Sequence, residues 1–336
     1  MPIDYGKHDG QLVWVRNPFT GTITYFTDIH RKQSGFARPP VEALWGDRAD
    51  VRFASELEAA QQRCAFCPGN EHMTVDEVLR VPRPASDAGT SRWLIRAFHN
   101  IIPRVPQSCT GGRNESYVVV EDPRHFVDGA KHPHELLYSA LLTAEQLRQV
   151  LAVEVEVARR AYANTAVTAV LVRKNQGRES GASQPHVHSQ VIGCDQPFPP
   201  VAREAERLLE EPGLWKDILS FAEGEGFMIT RRGPCALYFC PFGTFPRSYE
   251  VVCEDVRVRI TDAAAEVLDA FADLLHRALA ILGPLPLDYE IHDGPGVPLH
   301  AHICARHFAY SNIGGTLNLP ANIVANIAHR PSRPIG

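Results

Sequence analysis

The sequence predicts an α+β protein made of two similar halves, each an antiparallel sheet with one main helix. A strand-like run occurs twice, as YVVVEDPR from Tyr117 to Arg124 and as YEVVCEDVR from Tyr249 to Arg257. Each run precedes a long helical pattern, and each helical pattern precedes another strand-like run and a His-x-His. Apolar β-branched runs are typical of strands, and one helix per antiparallel sheet is an α+β arrangement.

The helical patterns run from Thr143 to Tyr162 and from Asp262 to Leu282. Thr143 with Gln146 three residues later fits a capping box at the start of the first helix. The strand-like runs after the helices are AVTAVLVRK at 166–174 and LDYEIH at 287–292. The Pro-rich QPFPPV at 196–201 marks the expected join. We therefore predict an N-terminal catalytic half at 1–195 and a C-terminal half at 196–336.

Composition excludes several classes of function. The 336 residues carry a formal net charge of -5, and no long basic run is visible, so we expect no nucleic-acid partner. No stretch approaches the roughly 18 apolar residues that a membrane helix needs, and the first residues have no apolar core typical of a secretory signal. We therefore expect a cytoplasmic protein with no membrane partner. Six of the eight cysteines occur singly, as small buried side chains do.

The first His-x-His lies in NQGRESGASQPHVHSQVIG, from Asn175 to Gly193. Alternate residues of a strand share a face, so His186, His188 and Gln190 point the same way. A neutral imidazole is a competent nucleophile near pH 7, and an amide can donate to a phosphoryl oxygen as charge shifts during attack. The pattern therefore favours phosphoryl chemistry, with a metal pair or two surface histidines as the simpler interpretation.

A turn of small residues comes just before this strand. Gly181, Ala182 and Ser183 carry little side-chain bulk, so their backbone N–H groups can approach an anion closely. The turn therefore predicts a place for substrate phosphate next to the two histidines.

The strongest local signal is RCAFCPGNE, from Arg63 to Glu71. Its two cysteines, Cys64 and Cys67, form either a zinc half-site or a redox pair. A redox pair is expected in a thioredoxin-like βαβ context, which the sequence does not show. A second Cys-x2-Cys is missing as well, so the remaining ligands of a zinc site must come from elsewhere in the chain.

The active-site strand resembles that of the galactose-1-phosphate uridylyltransferases, in the histidine-triad superfamily. That family has an Asn, a Gly-rich turn ending in Ser, and His-Pro-His-x-Gln, which match Asn175, Ser183 and the stretch from His186 to Gln190. Val187 stands where the family has Pro. The resemblance implies two histidine-triad-like halves, with His188 as nucleophile and Ser183 and Gln190 in the catalytic site. Histidine-triad hydrolases carry a third His where Gln190 stands, whereas transferases and phosphorylases carry Gln.

The same resemblance implies the metal ligands. It adds His125 and His186 to the cysteine pair, which gives a structural Zn²⁺ site of Cys64, Cys67, His125 and His186. It also implies a second metal, Fe²⁺ or Zn²⁺, held by Glu204, His292, His300 and His302. The alternative for the second His-x-His is an eroded copy of the first one.

The resemblance extends along nearly the whole chain. RNPFTG from Arg16 to Gly21, followed by His30-Arg31, resembles the family's opening signature, with Arg31 as a phosphate ligand and Ser34 in place of a second arginine. FHNIIP resembles the segment that lines the nucleoside pocket, with Asn100 as the matching residue, or as a plain turn residue. Asn175, Gly181 and Ala182 complete the implied substrate site. The stretch after His302 lacks the family's Lys and Gln that bind the hexose.

The implied activity is transfer of a nucleoside monophosphate, UMP by expectation, through a nucleotidyl-histidine. The partners would be a nucleoside diphosphate sugar and a sugar 1-phosphate, and the family is usually a homodimer. The alternatives are a phosphorylase that uses inorganic phosphate on ADP-sugars or dinucleoside polyphosphates, a histidine-triad hydrolase, and a non-catalytic zinc-stabilised nucleotide-binding protein.

Overall fold

Two long helices cover one face of a ten-stranded antiparallel sheet. The structure is a computed structural model that describes residues 3–27, 57–84, 91–103, 105, 111–243, 245, 247–306, 317–319 and 323–329. The spatial order of the sheet strands is β4-β5-β6-β8-β7-β12-β13-β11-β10-β9. The strands are β1 (Tyr5–His8), β2 (Gln11–Arg16), β3 (Ile23–Thr27), β4 (Glu77–Pro82), β5 (Trp93–His99), β6 (Glu115–Val120), β7 (Ala169–Gln176), β8 (His188–Cys194), β9 (Met228–Arg232), β10 (Cys235–Phe239), β11 (Ser248–Cys253), β12 (Leu287–Asp293), β13 (His300–Ala305), β14 (Leu317–Leu319) and β15 (Ile323–His329).

The two covering helices are the ones that the apolar periodicity predicts. The described helices are α1 (Leu57–Arg63), α2 (Ala144–Ala163), α3 (Pro199–Glu210), α4 (Leu214–Gly224) and α5 (Ala265–Leu282), with short 3-10 turns at Glu71–Met73 and Ser139–Leu141. Thr143 caps α2, and the capping box with Gln146 is confirmed. Helix α5 begins at Ala265 rather than at Asp262. None of the described helices is long and apolar enough to cross a bilayer.

The predicted repeat is visible in the sheet order. The first five strands in space, β4-β5-β6-β8-β7, come from residues 77–194, and the other five mirror them from residues 228–305. The two sets meet where β7 pairs with β12, and Arg173 lies opposite Glu290 at the centre of that pairing. Helix α2 packs on β5 to β8 and α5 on β9, β10, β11 and β13, and the two helices contact each other. The α+β class with antiparallel halves is therefore confirmed, and the division at residue 195 stays a prediction.

Matching the two His-x-His motifs histidine by histidine makes His300 the counterpart of His186, and this match is wrong by two residues. On β6, Tyr117 and Val120 pair with Val191 and His188. On β11, the equivalent Tyr249 and Val252 pair with Ile303 and His300. His300 therefore corresponds to His188, not to His186, because strand register rather than motif similarity sets the equivalence.

A second sheet escaped the sequence analysis. Its order is β1-β2-β3-β15-β14, and β15 runs parallel to β3, so the two ends of the chain lie side by side. Aromatic side chains of the first segment pack on and beside α4, as in the contacts of Tyr5 with Phe221 and of Phe19 with Trp215. This sheet and α4 lie beside the second half of the large sheet.

Candidate active site and metal clusters

Four buried side chains that the sequence places far apart meet at one point. Cys67 Sγ lies 3.2 Å from His125 Nδ1 and 3.5 Å from His186 Nδ1, and Cys64 Sγ lies 3.6 Å from His186 Nδ1. The four ligand atoms all lie within 4.8 Å of one another. Two thiols and two imidazoles converging in this way fit a tetrahedral metal site, so the metal interpretation of the cysteine pair is the one that the geometry supports.

The cysteine loop is held by its own backbone and by one amide. Cys67 N donates to Cys64 O at 3.1 Å, which closes the tight turn after α1. Asn70 Nδ2 donates to Gln61 O and to Cys64 O, both at 2.8 Å, and so ties the end of α1 to the turn. Gly69 has a φ of +90, a value that glycine adopts without strain. The turn and the two Asn70 bonds therefore hold the cysteines where their sulfurs face the two histidines.

His186 connects this cluster to the strand of His188. His186 Nε2 lies 2.7 Å from the carbonyl oxygen of Asp122, and His188 Nδ1 lies 2.7 Å from the carbonyl oxygen of His186. A carbonyl only accepts, so each of these ring nitrogens must carry the proton and donate. His186 then presents the lone pair of Nδ1 to the sulfurs, and His188 keeps the lone pair of Nε2 for another partner.

The surroundings of His188 keep its imidazole neutral. Its exposed fraction is 8%, and burial lowers its pKa to about 4. Phe66, between the two cysteines, meets the His188 ring edge to face with ring centroids 5.2 Å apart. His188 therefore offers an uncharged nucleophilic nitrogen near pH 7, in a fixed orientation.

Gln190 and Asn175 lie on the same face of the sheet as His188. Gln190 is half-buried two residues further along β8, as the alternation predicts. Asn175, at the end of β7, donates from Nδ2 to Ser180 O at 2.6 Å. Its Oδ1 is buried and has no hydrogen-bond partner among the described residues. A buried acceptor without a partner, close to His188, is suited to a donor group of a ligand.

The small-residue turn is already hydrogen-bonded within its own loop. Gly181 N donates to Arg178 O at 2.8 Å, and Ala182 N donates to Gly177 O at 3.2 Å. Two of the amides that were expected to hold phosphate are therefore engaged in this conformation. Ser183 is exposed in the same loop. Binding of substrate by these three residues stays a prediction.

Two further predicted substrate residues have different outcomes. Asn100 Oδ1 accepts from Ile102 N at 3.0 Å, which is the bond of a turn residue. Its contact with a nucleoside stays a prediction. Arg31 and Ser34, like most of the stretch after Arg306, lie outside the described residues.

A second cluster forms in the other half, at the place that matches His188 and Gln190 of the first half. Glu204 on α3 reaches three histidines of β12 and β13, at 2.8 Å to His292 Nδ1, 3.2 Å to His300 Nε2 and 3.1 Å to His302 Nε2. Burial raises the pKa of Glu204, but His292 and His300 outweigh burial and hold it well below its usual range. A buried carboxylate among three imidazoles is a set of ligands that could hold a metal ion.

Hydrogen bonds orient two of these histidines toward the cluster. His300 Nδ1 donates to Pro298 O at 2.8 Å. Its buried Nε2 faces the Glu204 carboxylate at 3.2 Å, but it makes no hydrogen bond among the described residues. His302 Nδ1 lies 2.9 Å from Glu250 Oε1, which leaves Nε2 directed at Glu204. The sequence analysis missed Glu250, although it lies in the repeated run YEVVCEDVR and pairs with His302 of the second His-x-His. Carboxylate–histidine pairs of this kind orient metal ligands.

The sequence analysis also missed two buried polar residues next to His188, Lys174 and Glu121. Lys174 Nζ donates to Glu121 Oε1 at 2.6 Å and to the carbonyl oxygen of His188 at 3.1 Å, and both side chains are buried. The β7–β8 ladder ends at the pair of Arg173 and Gln190. Lys174 therefore supplies by its side chain a bond to His188 that the strand backbone no longer makes. The sequence did contain a signal for this pair, because Lys174 and Glu121 are charged residues at the ends of apolar strand-like runs.

Comparison with known proteins places the chain in a family. The family model described as a domain of unknown function, DUF4921, matches residues 99–296, which is more than half of the chain. The chain belongs to the DUF4921 family. The matched range contains His125, His186, His188 and two of the four residues of the second cluster, Glu204 and His292. The comparison with curated proteins gives no match to this DUF4921 chain.

Solved structures share the fold. An ADP-glucose phosphorylase from Arabidopsis thaliana with bound ADP-glucose is 18% identical with a TM-score of 0.66, over 94% of the DUF4921 chain and 93% of that chain. A GalT-like protein from Arabidopsis thaliana is 18% identical with a TM-score of 0.65, over 94% of each chain. A uridylyltransferase is 21% identical with a TM-score of 0.54, over 68% of this chain and 82% of that chain. The fold expected from the family resemblance is thereby confirmed.

The first cluster predicts a loss of metal and stability in Cys67→Ser. Because metal bound to the native state contributes folding free energy, the variant should lose about one metal ion per chain and melt at a lower temperature. Elemental analysis of purified protein and thermal melting measure both quantities. Cys194→Ser is the matched control, since Cys194 is buried outside the cluster. Normal metal content with unchanged melting in Cys67→Ser would show that Cys67 is not a ligand.

The second cluster predicts an independent metal loss in Glu204→Gln. The amide keeps the shape of the side chain but removes the negative charge that three imidazoles surround, so about one further ion per chain should be lost. Glu206→Gln is the control on the same helix, because Glu206 is exposed. Elemental analysis of both variants decides the matter. Equal metal content in the two variants contradicts a metal site at Glu204.

Proposed function

We propose that the chain is a nucleotidyltransferase of the galactose-1-phosphate uridylyltransferase type, with His188 as the nucleophile. One observation supports this most directly: the Nδ1 proton of His188 is held by the carbonyl oxygen of His186 at 2.7 Å, so the Nε2 lone pair is free. The shared fold with a uridylyltransferase and with an ADP-glucose phosphorylase supports the same class of chemistry.

In the first half-reaction, His188 Nε2 attacks the α-phosphorus of a nucleoside diphosphate sugar. A phosphorus–nitrogen bond forms, the bond from that phosphorus to the bridging oxygen breaks, and the sugar 1-phosphate leaves with the electron pair. The proton on Nδ1 stays in its hydrogen bond to His186 O, so no proton transfer is needed. Gln190 donates to a phosphoryl oxygen as negative charge moves onto it.

In the second half-reaction, a phosphate oxygen of the acceptor attacks the same phosphorus. The phosphorus–nitrogen bond breaks and its electrons return to Nε2. We propose UMP as the group transferred and a sugar 1-phosphate as the acceptor. Inorganic phosphate is the second candidate acceptor, favoured by the similarity to the ADP-glucose phosphorylase. Both reactions share the same covalent intermediate, and they differ only in what removes the nucleotidyl group.

We propose that Cys64, Cys67, His125 and His186 hold Zn²⁺, because two thiolates and two imidazoles are a common set of structural zinc ligands. Zinc would supply a rigid cross-link between the cysteine loop and the strand of His188. Glu204, His292, His300 and His302 would hold Fe²⁺ or Zn²⁺, since three imidazoles and a carboxylate suit both ions.

The covalent intermediate gives a direct test. On incubation with a panel of UDP-, ADP-, GDP- and CDP-sugars, the protein should gain the mass of one nucleoside monophosphate from its preferred donor. Addition of a sugar 1-phosphate or of inorganic phosphate should remove that mass, and the one that does so identifies the acceptor. His188→Ala should gain nothing, whereas His132→Ala, which alters an exposed histidine, should be labelled normally. Labelling that persists in His188→Ala would assign the nucleophile elsewhere.

Gln190 separates transition-state chemistry from scaffold. Loss of one such donor typically lowers turnover by about two to three orders of magnitude, and an interaction made only in the transition state leaves KM nearly unchanged. Gln190→Ala and the isosteric Gln190→Glu should both show this pattern in steady-state kinetics. Gln190→His places a titratable group beside the phosphorus–nitrogen bond, so the ratio of free nucleoside monophosphate to transfer product should rise. If Gln190→Ala keeps near-normal turnover and Gln190→His does not change the ratio of free nucleoside monophosphate to transfer product, Gln190 has no role in catalysis.

A further inference from the structure

A row of polar side chains crosses the sheet from the candidate active site to the second cluster. Consecutive members lie directly opposite one another on neighbouring strands, and they share the face that α2 and α5 leave open. This polar row consists of Gln190, Arg173, Glu290, His302, Glu250 and Tyr238. Only Arg173 carries a permanent positive charge in the row, and it is the neighbour of Gln190.

Arg173 is placed within reach of the phosphoryl site. Residues directly opposite in a sheet have Cβ atoms about 5 Å apart, and diagonal neighbours are about 7 to 8 Å apart, which a long side chain can span. Gln190 is the opposite neighbour of Arg173 on β8, and His188 is its diagonal neighbour. The side chain of Arg173 is therefore long enough to bring its guanidinium to the position where a phosphoryl group would sit between His188 Nε2 and the Gln190 amide.

One buried hydrogen-bond donor of Arg173 is unused in the described part of the chain. Its Nε is buried and has no hydrogen-bond partner among the described residues, and its side chain is 21% exposed. Glu290 Oε1 lies 3.6 Å from that nitrogen, which is an ion-pair distance but not a hydrogen bond. A carboxylate that lies this close orients the side chain without occupying its donors.

A structural arginine in the same fold looks different. Arg148 donates from Nε and Nη2 to the two oxygens of Asp273, at 2.8 Å and 2.9 Å, in the bidentate geometry that satisfies a guanidinium. Arg173 has no such partner, although its backbone is in the centre of the sheet. Leaving a half-buried guanidinium unsatisfied costs stability unless a ligand completes its hydrogen bonds.

We propose that Arg173 binds the phosphate group next to the phosphoryl group that His188 attacks. This inference rests on the proposed function and adds a residue that decides which substrates fit. In the donor, Arg173 binds the β-phosphate of the nucleoside diphosphate sugar. In the second half-reaction, Arg173 binds the phosphate group of the acceptor at the same place. Glu290 holds the guanidinium at the edge of the site, so its two Nη groups can face the phosphate oxygens as a fork.

This role predicts selectivity for a second phosphate group. A nucleoside monophosphate fills only the position beside His188 and Gln190, whereas a diphosphate also reaches Arg173. A hydrogen bond to a charged group contributes about 1.5 to 3 kcal/mol, so removing the guanidinium should weaken diphosphate binding by roughly tenfold to a hundredfold. Binding of the monophosphate should hardly change.

Titration calorimetry on the full-length chain tests this directly. The parent is His188→Asn, which cannot form the covalent intermediate, and the probes are UMP with UDP and AMP with ADP. In Arg173→Gln the preference for the diphosphate should be lost, and in Arg173→Lys it should be partly kept, because the charge remains without the fork. Arg231→Gln is the matched control, since Arg231 is a strand arginine on β9 with carboxylate partners. Thermal melting of each variant checks that it is folded.

The outcomes separate this inference from the proposed function. An unchanged preference for the diphosphate in Arg173→Gln overturns the role of Arg173 and leaves the proposed function intact. An equal loss for mono- and diphosphate also overturns it, because Arg173 would then serve the site as a whole. If the parent binds none of the four nucleotides, the proposed function fails and this inference fails with it. If Arg173→Gln does not fold, Arg173→Lys decides: a reduced preference for the diphosphate supports the role, and an unchanged preference overturns it.

Discussion

The position of His186 is the constraint on which the rest of the site depends. Its ring joins the cysteine cluster through Nδ1 and the chain after β6 through Nε2, while its carbonyl oxygen fixes the proton of His188. Asp122, whose carbonyl receives the first of these bonds, is itself held by its carboxylate, which accepts from Gln146 at the start of α2. A disturbance at the cysteines therefore reaches His188 through one residue. In this arrangement a metal held by the cluster would determine which nitrogen of His188 is available, with no direct contact to substrate.

The second half uses the same local geometry for another purpose. His188 and His300 start equivalent strands, and each donates from Nδ1 to the carbonyl two residues earlier. Each therefore presents Nε2 to the open face of the sheet. In the second half Glu204 on α3 lies 3.2 Å from that nitrogen, whereas the described residues include no such carboxylate contact at His188. The presence of Glu204 on α3 therefore makes His300 a candidate metal ligand, whereas His188 in the equivalent position is a candidate nucleophile.

The sequence correctly predicted features that depend on short-range patterns of residues. It did not predict features that depend on strand register or on contacts between distant side chains. Apolar periodicity located α2 and α5, and the family resemblance carried by the Cys-x2-Cys and the two His-x-His motifs implied the residues of both clusters. Matching the histidines by motif misplaced His300, since a strand's equivalence follows its pairing with β11. The five-stranded sheet was missed because β15 pairs with β3 across almost the whole chain, and such long-range parallel pairing leaves no local signal. Arg173 escaped notice because a single arginine in an apolar run gains meaning only from its cross-strand neighbour.

The pairing of β7 with β12 also bears on how such a molecule can arise from two copies. Arg173 and Glu290 occupy equivalent positions and face each other across the approximate two-fold axis. In a dimer of identical halves, symmetry would oblige the same side chain to face itself there, and two like charges directly opposite repel. A single chain that encodes both halves separately is free of this constraint and can place opposite charges on the two sides of the axis. Fusion thus gives this protein a freedom that symmetric assembly forbids, and the asymmetry lies where the two sites meet.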